Sequence, residues 1–278
     1  MEEIKGFIFD LDGTIYLGDQ VIDGADTVIN TLQQLGKKVL FLTNKTIESR
    51  EKYAKKLQQF NIHASVENIL NPTVTLINYL QESDPTACLY VIGEQIIKDE
   101  LSKAGFLQAQ TPEETDIVII SWDRDFHYDH LNFAYQAVKR GAKMIATNPD
   151  RTCPIENGDV PDCAGMIGAL EGVSGRKIDL QIGKPSIITL DAALKILELD
   201  SHQCIMIGDR LETDIRMGNE ADMKTALVLT GITTMEDLKT SDWEPEFVLS
   251  SINEIISSGK LGKFTLGSDN DSSEEKLL

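Results

Sequence analysis

The chain has 278 residues, 41% of them hydrophobic, enough to bury a sizeable core in one large domain or two smaller ones. Its formal net charge of −19 repels nucleic acid and anionic lipid surfaces, so neither is an expected partner. The same charge would repel a phosphorylated ligand, and phosphate chemistry on this chain therefore needs a local cation.

The first run, Gly6-Phe7-Ile8-Phe9, is apolar without alternation, as in a strand buried on both faces, and it stops at Asp10. A helix over about Gly24 to Leu35, a strand over Lys38 to Leu42 ending at Thr43-Asn44, and a helix over about Glu48 to Phe60 come next. After a helix near Pro72 to Leu80, the segment Gln81 to Pro85 reads as a linker. A second α/β series then begins, with strands at Leu89 to Gly93, Ile117 to Trp122 and Met144 to Thr147 and helices near Gln95 to Lys103 and Asp129 to Arg140. The first pattern resumes with a short strand at Gln181-Ile182, a helix over Ser186 to Leu197 and the strand Cys204 to Ile207 ending at Gly208-Asp209. Strands near Thr225 to Leu229 and Phe247 to Leu249 complete the series. This alternation predicts an α/β fold with a Rossmann-like, doubly wound parallel-sheet core, residues 1–81 and 180–265, interrupted by an inserted α/β domain at 82–179. Residues 266–278 are polar and acidic enough to predict a disordered tail.

No apolar run approaches the roughly 20 residues of a membrane helix, and Met-Glu-Glu-Ile-Lys lacks the basic start of a signal peptide. A cytoplasmic protein without a membrane partner is the expectation. Cys88, Cys153, Cys163 and Cys204 form no CxxC pair, which points to reduced thiols and away from zinc or disulfides.

In open α/β sheets, ligands bind beyond the carboxyl ends of the strands, so residues just past each strand converge. Here four strand ends supply Asp10-Leu11-Asp12-Gly13-Thr14, Thr43-Asn44, Gly183-Lys184-Pro185, and Gly208-Asp209-Arg210 with Asp214 downstream. Asp10 and Asp12 repel each other unless a cation lies between them, and magnesium suits such an oxygen-only site, with Asp209 as a further carboxylate. Lys184 and Thr43 could hold phosphoryl oxygens. Asp10 could then attack phosphorus, and Asp12 could act as general acid and base.

These four segments resemble the motifs of the haloacid dehalogenase-like (HAD) phosphatases over roughly residues 4 to 258. More narrowly the chain is similar to the NagD-like, p-nitrophenylphosphatase-like branch, which includes bacterial sugar phosphatases linked to arabinose metabolism. The resemblance makes the insert an α/β cap and Ala146 to Asp150 its Ala-Thr-Asn-Pro-Asp segment. It implies Asp10 as nucleophile, Asp12 as acid and base, and Thr43, Asn44 and Lys184 at the phosphate. Mg2+ would be held by Asp10, the backbone carbonyl of Asp12 and Asp209, with Asp214 behind them. Lys45 departs from the usual small polar residue and joins Asn148 and Asp150 as a candidate substrate contact. A small-molecule phosphate ester, above all a sugar phosphate, is the implied substrate, with nucleotides and pyridoxal phosphate behind it. A homodimer through the cap is compatible with the resemblance.

Other readings fit less of the chain. A calcium loop starting at Asp10 would need Gly and Glu where Ile15 and Val21 stand. His127 and His130 lack spaced metal-ligand partners and read as surface or capping residues. Taken singly, Thr43-Asn44 reads as a helix cap, Lys184 as a solvated lysine, Asp209 as a turn residue, and Asn148 to Asp150 as a turn. A response-regulator receiver is far shorter and places its acceptor after the third strand. A phosphomutase or phosphotransferase would share the aspartyl phosphate and differ in passing it to a hydroxyl.

Overall fold

The computed structural model describes residues 4–155 and 158–257. The expected tail at 266–278 lies outside them. Six parallel strands form the first sheet, in the order Phe247–Leu249, Lys224–Val228, Cys204–Gly208, Gly6–Phe9, Lys38–Leu42, Ile69–Leu70. The first strand in sequence is thus central. The chain winds from it towards Ile69–Leu70 and later returns to its other side, which makes the crevice beyond Phe9 and Gly208 the topological switch point.

Alternation along the central strands explains why both faces are covered. Phe7, Phe9, Val39, Phe41, Ile205 and Ile207 enter one core with Val28, Ile29 and Leu32 of the helix Ala25–Gln34 and with Tyr53 and Leu57 of the helix Arg50–Gln59. Ile8, Leu40, Leu42 and Met206 point the other way, to Leu190, Ala193 and Leu197 of the helix Ile187–Leu197. Successive strand side chains face opposite sides of a sheet, so an uninterrupted apolar run requires helices on both.

The second sheet has five parallel strands, ordered Leu180–Gln181, Lys143–Ala146, Ile117–Ile120, Cys88–Ile92, Leu107–Gln108. Its faces are covered by the helices Tyr128–Lys139 and Cys163–Ser174 on one side and Gln95–Lys103 on the other. The sequence expectation differs in two places. The short strand before Gly183 hydrogen-bonds to Lys143–Ala146 in this second sheet, not in the first. The helix near Pro72 runs on to Ser83, through part of the expected linker, and buries Leu76 and Leu80 in the second sheet's core. A hairpin, Thr152–Ile155 with Gly158–Pro161, extends from this unit.

Candidate active site

Strand termination puts the charged residues where they are. Asp10 comes directly after the central strand, its amide bonded to the Ile207 carbonyl at 2.9 Å, and Asp209 directly after the neighbouring strand. Lys184 reaches in from the loop after Gln181. Its Nζ donates to Asp10 Oδ1 at 2.5 Å, to Asp214 Oδ1 at 2.6 Å and to the Leu42 carbonyl at 3.2 Å. All three side chains are buried. Burial pushes the Asp10 carboxyl well above its ordinary range; the Lys184 ammonium works against this, and Asp214 and Asp209 reinforce it. Burial opposes the charge on Lys184, yet the carboxylates of Asp10 and Asp214 raise its pKa. The net effect is a buried ammonium locked between two carboxylates, a geometry that is costly to break.

Carboxylate oxygens of Asp10, Asp209 and Asp214 lie within 4.8 Å of one another. Asp214 has both oxygens engaged, by Lys184 and by the Arg210 amide at 3.1 Å. Asp209 accepts from the Ile232 amide through Oδ2 at 2.8 Å, while its Oδ1 is buried with no partner. Burial, with Asp214 next, pushes the Asp209 carboxyl up to about 7. Glycines make the room: a Cβ on Gly231 would stand 1.9 Å from Asp209 Oδ2, and one on Gly13, whose φ is +86°, 2.6 Å from the same atom. Thr230 Oγ1 donates to the Gly13 carbonyl at 2.6 Å, tying the loop after Lys224–Val228 to the turn after Asp12. Buried oxygen donors with one unpaired lone-pair site suit a small hard cation such as magnesium.

Asp12 stands apart from this cluster. Lys45 Nζ donates to its Oδ1 at 2.7 Å, and its Oδ2 is buried without a partner. Thr43 Oγ1 accepts from the Lys45 amide at 3.2 Å. Asn44 is used as a bracket: its Oδ1 accepts from the Lys184 amide at 2.8 Å, and its Nδ2 donates to the Lys184 carbonyl at 3.2 Å and to Asp150 Oδ1 at 3.3 Å. Asn148 in turn donates to the Asn44 carbonyl at 3.1 Å and accepts from the Asp150 amide at 3.0 Å.

A cavity of about 30 Å³ is lined by Asp10, Asp12, Thr43, Lys45 and Lys184 from the first unit and by Asp150, Cys153, Pro154 and Asp162 from the second. Asp150, Arg210 and Thr213 line both this cavity and a groove of about 690 Å³ beside it, which extends to Trp243. The Thr213 hydroxyl is buried without a partner. Arg210 holds the hairpin by donating to the Thr152 carbonyl at 3.1 Å.

Residues 7–107 match the family model described as haloacid dehalogenase-like hydrolase, and residues 181–255 match a second described as HAD-hydrolase-like. The sugar-phosphatase AraL of Bacillus subtilis (strain 168) is 40% identical over 250 residues, covering 90% of this chain and 91% of its own. The chain belongs to the haloacid dehalogenase-like hydrolases. Solved structures agree: a p-nitrophenyl phosphatase from Archaeoglobus fulgidus superposes with a TM-score of 0.86 at 31% identity, covering 92% of this chain and 100% of that one. NagD from E. coli K-12 gives 0.83 at 29% identity, covering 91% and 99%. This hydrolase is a phosphoric monoester hydrolase.

The structure gathers Asp10, Asp12, Thr43, Asn44, Lys45, Lys184, Asp209, Asp214 and Asp150 around one point. Asn148 differs: it does not line the cavity, because its amide is spent on the Asn44 backbone and on the Asp150 amide. His127 and His130 lie on the helix Tyr128–Lys139 and its cap, with His130 Nδ1 3.2 Å from Asp123. Sequence reasoning missed Gly231 and Asp162, and it placed Arg210 at a strand end without giving it a role. Of the two missed, Gly231 carried a usable signal, as a Thr-Gly step directly after an expected strand.

Proposed function

We propose that this hydrolase dephosphorylates sugar phosphates with the aid of Mg2+, through a phosphorylated Asp10. The observation that carries the reading is the buried Asp10–Lys184–Asp214 array at the switch point, beside an Asp209 oxygen that has no partner. Asp10, Asp209 and the backbone of Asp12 would hold the cation, which supplies charge neutralisation for a carboxylate approaching a phosphate dianion.

Asp10 attacks phosphorus, forming the aspartyl phosphate as the ester P–O bond breaks. The leaving alkoxide takes a proton from Asp12. Asp12 then takes a proton from the water that attacks the same phosphorus, releasing inorganic phosphate and restoring Asp10. Lys184 offers its ammonium to the phosphoryl oxygens, and Thr43 its hydroxyl. Asn44 acts indirectly, through the two hydrogen bonds that fix the Lys184 backbone. Asp214 holds the Lys184 ammonium from the far side.

We take the five-stranded unit as the cap. Its hairpin and Asp150 complete the wall of the cavity and would keep bulk water from the aspartyl phosphate. The name of the Bacillus subtilis relative and that of the acid sugar phosphatase of Staphylococcus haemolyticus, 36% identical over 92% of this chain and 97% of its own, support sugar phosphates as the substrates. The test is phosphate release from sugar phosphates, nucleotides and p-nitrophenyl phosphate, with magnesium and with chelator, beside Asp10→Asn. Magnesium-dependent release that falls at least about a thousandfold in the variant is expected, since the nucleophile is removed. Turnover that survives in Asp10→Asn would overturn the assignment.

A further inference from the structure

We propose that Asp162 is a specificity-determining residue of this site, a cap carboxylate that accepts hydrogen bonds from a hydroxyl-rich leaving group and turns away anionic ones. The inference rests on the phosphatase reading above and concerns the part of the substrate that the motif residues do not touch.

Asp162 lines the same cavity as Asp10, Asp12 and Lys184, yet it comes from the opposite wall, at the start of the helix Cys163–Ser174. It is buried, 4% exposed. Two backbone hydrogen bonds fix its position relative to the other cap carboxylate: the Asp162 amide to the Arg151 carbonyl and the Ala164 amide to the Asp150 carbonyl, both at 3.0 Å. The segments bearing Asp150 and Asp162 therefore move as one piece.

Each of the two carboxylates accepts one hydrogen bond among the described residues, but that of Asp150 comes from the opposite unit and that of Asp162 from its own helix. Asp150 accepts from Asn44 Nδ2, and the Arg210 guanidinium opposes its charge. Asp162 accepts from the Cys163 amide through Oδ1 at 2.5 Å, its one hydrogen-bond partner among the described residues. A carboxylate has about four lone-pair sites, so acceptor capacity remains on the cavity side. Burial raises the Asp162 carboxyl to about 6, consistent with a group screened from bulk water. With phosphorus held at Asp10, the ester oxygen and the group it carries must face the cap wall. Hydroxyl groups arriving there find an acceptor. Arg210 and Lys45 oppose the charge of Asp162, but Arg210 is engaged by the Thr152 carbonyl and Lys45 by Asp12, so a carboxylate or second phosphate arriving beside Asp162 meets a buried like charge, which disfavours it.

Asp162 is also the N-cap of its helix, so the test must separate capping from selection. Asn and Ser cap as well as Asp does, and both remove the charge; Asn keeps a polar group of the same reach, whereas Ser leaves one shorter oxygen that the cap itself occupies. For wild type, Asp162→Asn and Asp162→Ser, kcat/KM is measured with a panel of pentose and hexose monophosphates, with 3-phosphoglycerate and with p-nitrophenyl phosphate, alongside Tm. In Asp162→Ser the sugar-phosphate to p-nitrophenyl-phosphate ratio is expected to fall about tenfold, the worth of a lost hydrogen bond in a buried site. In Asp162→Asn the 3-phosphoglycerate to p-nitrophenyl-phosphate ratio is expected to rise by a similar factor. Both ratios unchanged at wild-type Tm, or all substrates falling together with Tm, would reduce Asp162 to a helix cap and overturn the proposal. A wild type that hydrolyses none of the esters would remove the phosphatase reading and this inference with it.

Discussion

Asp209 shows how a site can be built at a local cost. Its carboxyl is buried near Asp10 and Asp214, its Oδ1 has no partner, and its pKa is raised to about 7. A carboxyl whose folded pKa lies above its unfolded value stabilises the fold below the unfolded pKa and loses that contribution as pH rises through the folded one. For Asp209 the window runs from about 4, the ordinary Asp value, to about 7. A bound cation removes the penalty by pairing the ionised form, and at low pH it must compete with the proton. Saturating magnesium should therefore raise Tm more at pH 8 than at pH 5.5, with protons released on binding at the lower pH. An equal rise at both values in a thermal melt would show that Asp209 is not the ligand.

At the scale of elements, the helix Pro72–Ser83 joins the two units. Leu76 and Leu80 pack under the second sheet, while Val74 rests against the core of the first. Leu76→Ala should cost about 2–5 kcal/mol in a denaturant titration, as fully buried leucines do; a change under about 0.5 kcal/mol, the range of surface substitutions, would mean the helix is not a packed element. The same physics explains how legible such elements were in the sequence. Gly6–Phe9, Lys38–Leu42 and Cys204–Gly208 are continuous apolar runs ended by polar residues, so both the strands and the chemistry at their ends could be read. Leu180–Gln181 has two residues and no period, and its choice of sheet is decided by tertiary pairing with Ile145 and Ala146. The helix Cys163–Ser174 carries Gly165, Gly168 and Gly172, each a penalty of about 1 kcal/mol relative to Ala. Packing of Met166 and Leu170 overrides that local preference. Asp162 was hidden because its helix was.

Across the whole molecule, the two units meet around a cavity of about 30 Å³. Asp150, Arg210 and Thr213 also line the groove of about 690 Å³ beside it, and several contacts that bring the two units together around the site can be named. Arg210 bonds the Thr152 carbonyl, Asn44 bonds Asp150, and Lys45, already paired with Asp12, lies beside the Cys153 thiol. Other contacts join the units beside them, the Thr46–Ser121 hydroxyl pair and the packing of Ile47 and Ile188 against the second unit's cores, but each of these polar bonds is worth only about 0.5–1.5 kcal/mol net. Arg210 is the best placed to act as a latch, because it spans from the strand end that carries Asp209 to the hairpin. Arg210→Ala should speed hydrogen exchange of the amides in Thr152–Ile155 and Gly158–Pro161 by about three- to tenfold, the population shift expected for one such bond. The amides of Ile117–Ile120, deep in the second sheet, should keep their protection. Faster exchange in both regions would mean that Arg210 supports the folding of the unit; faster exchange confined to the hairpin would make its bond to Thr152 the clasp that holds the hairpin over the site.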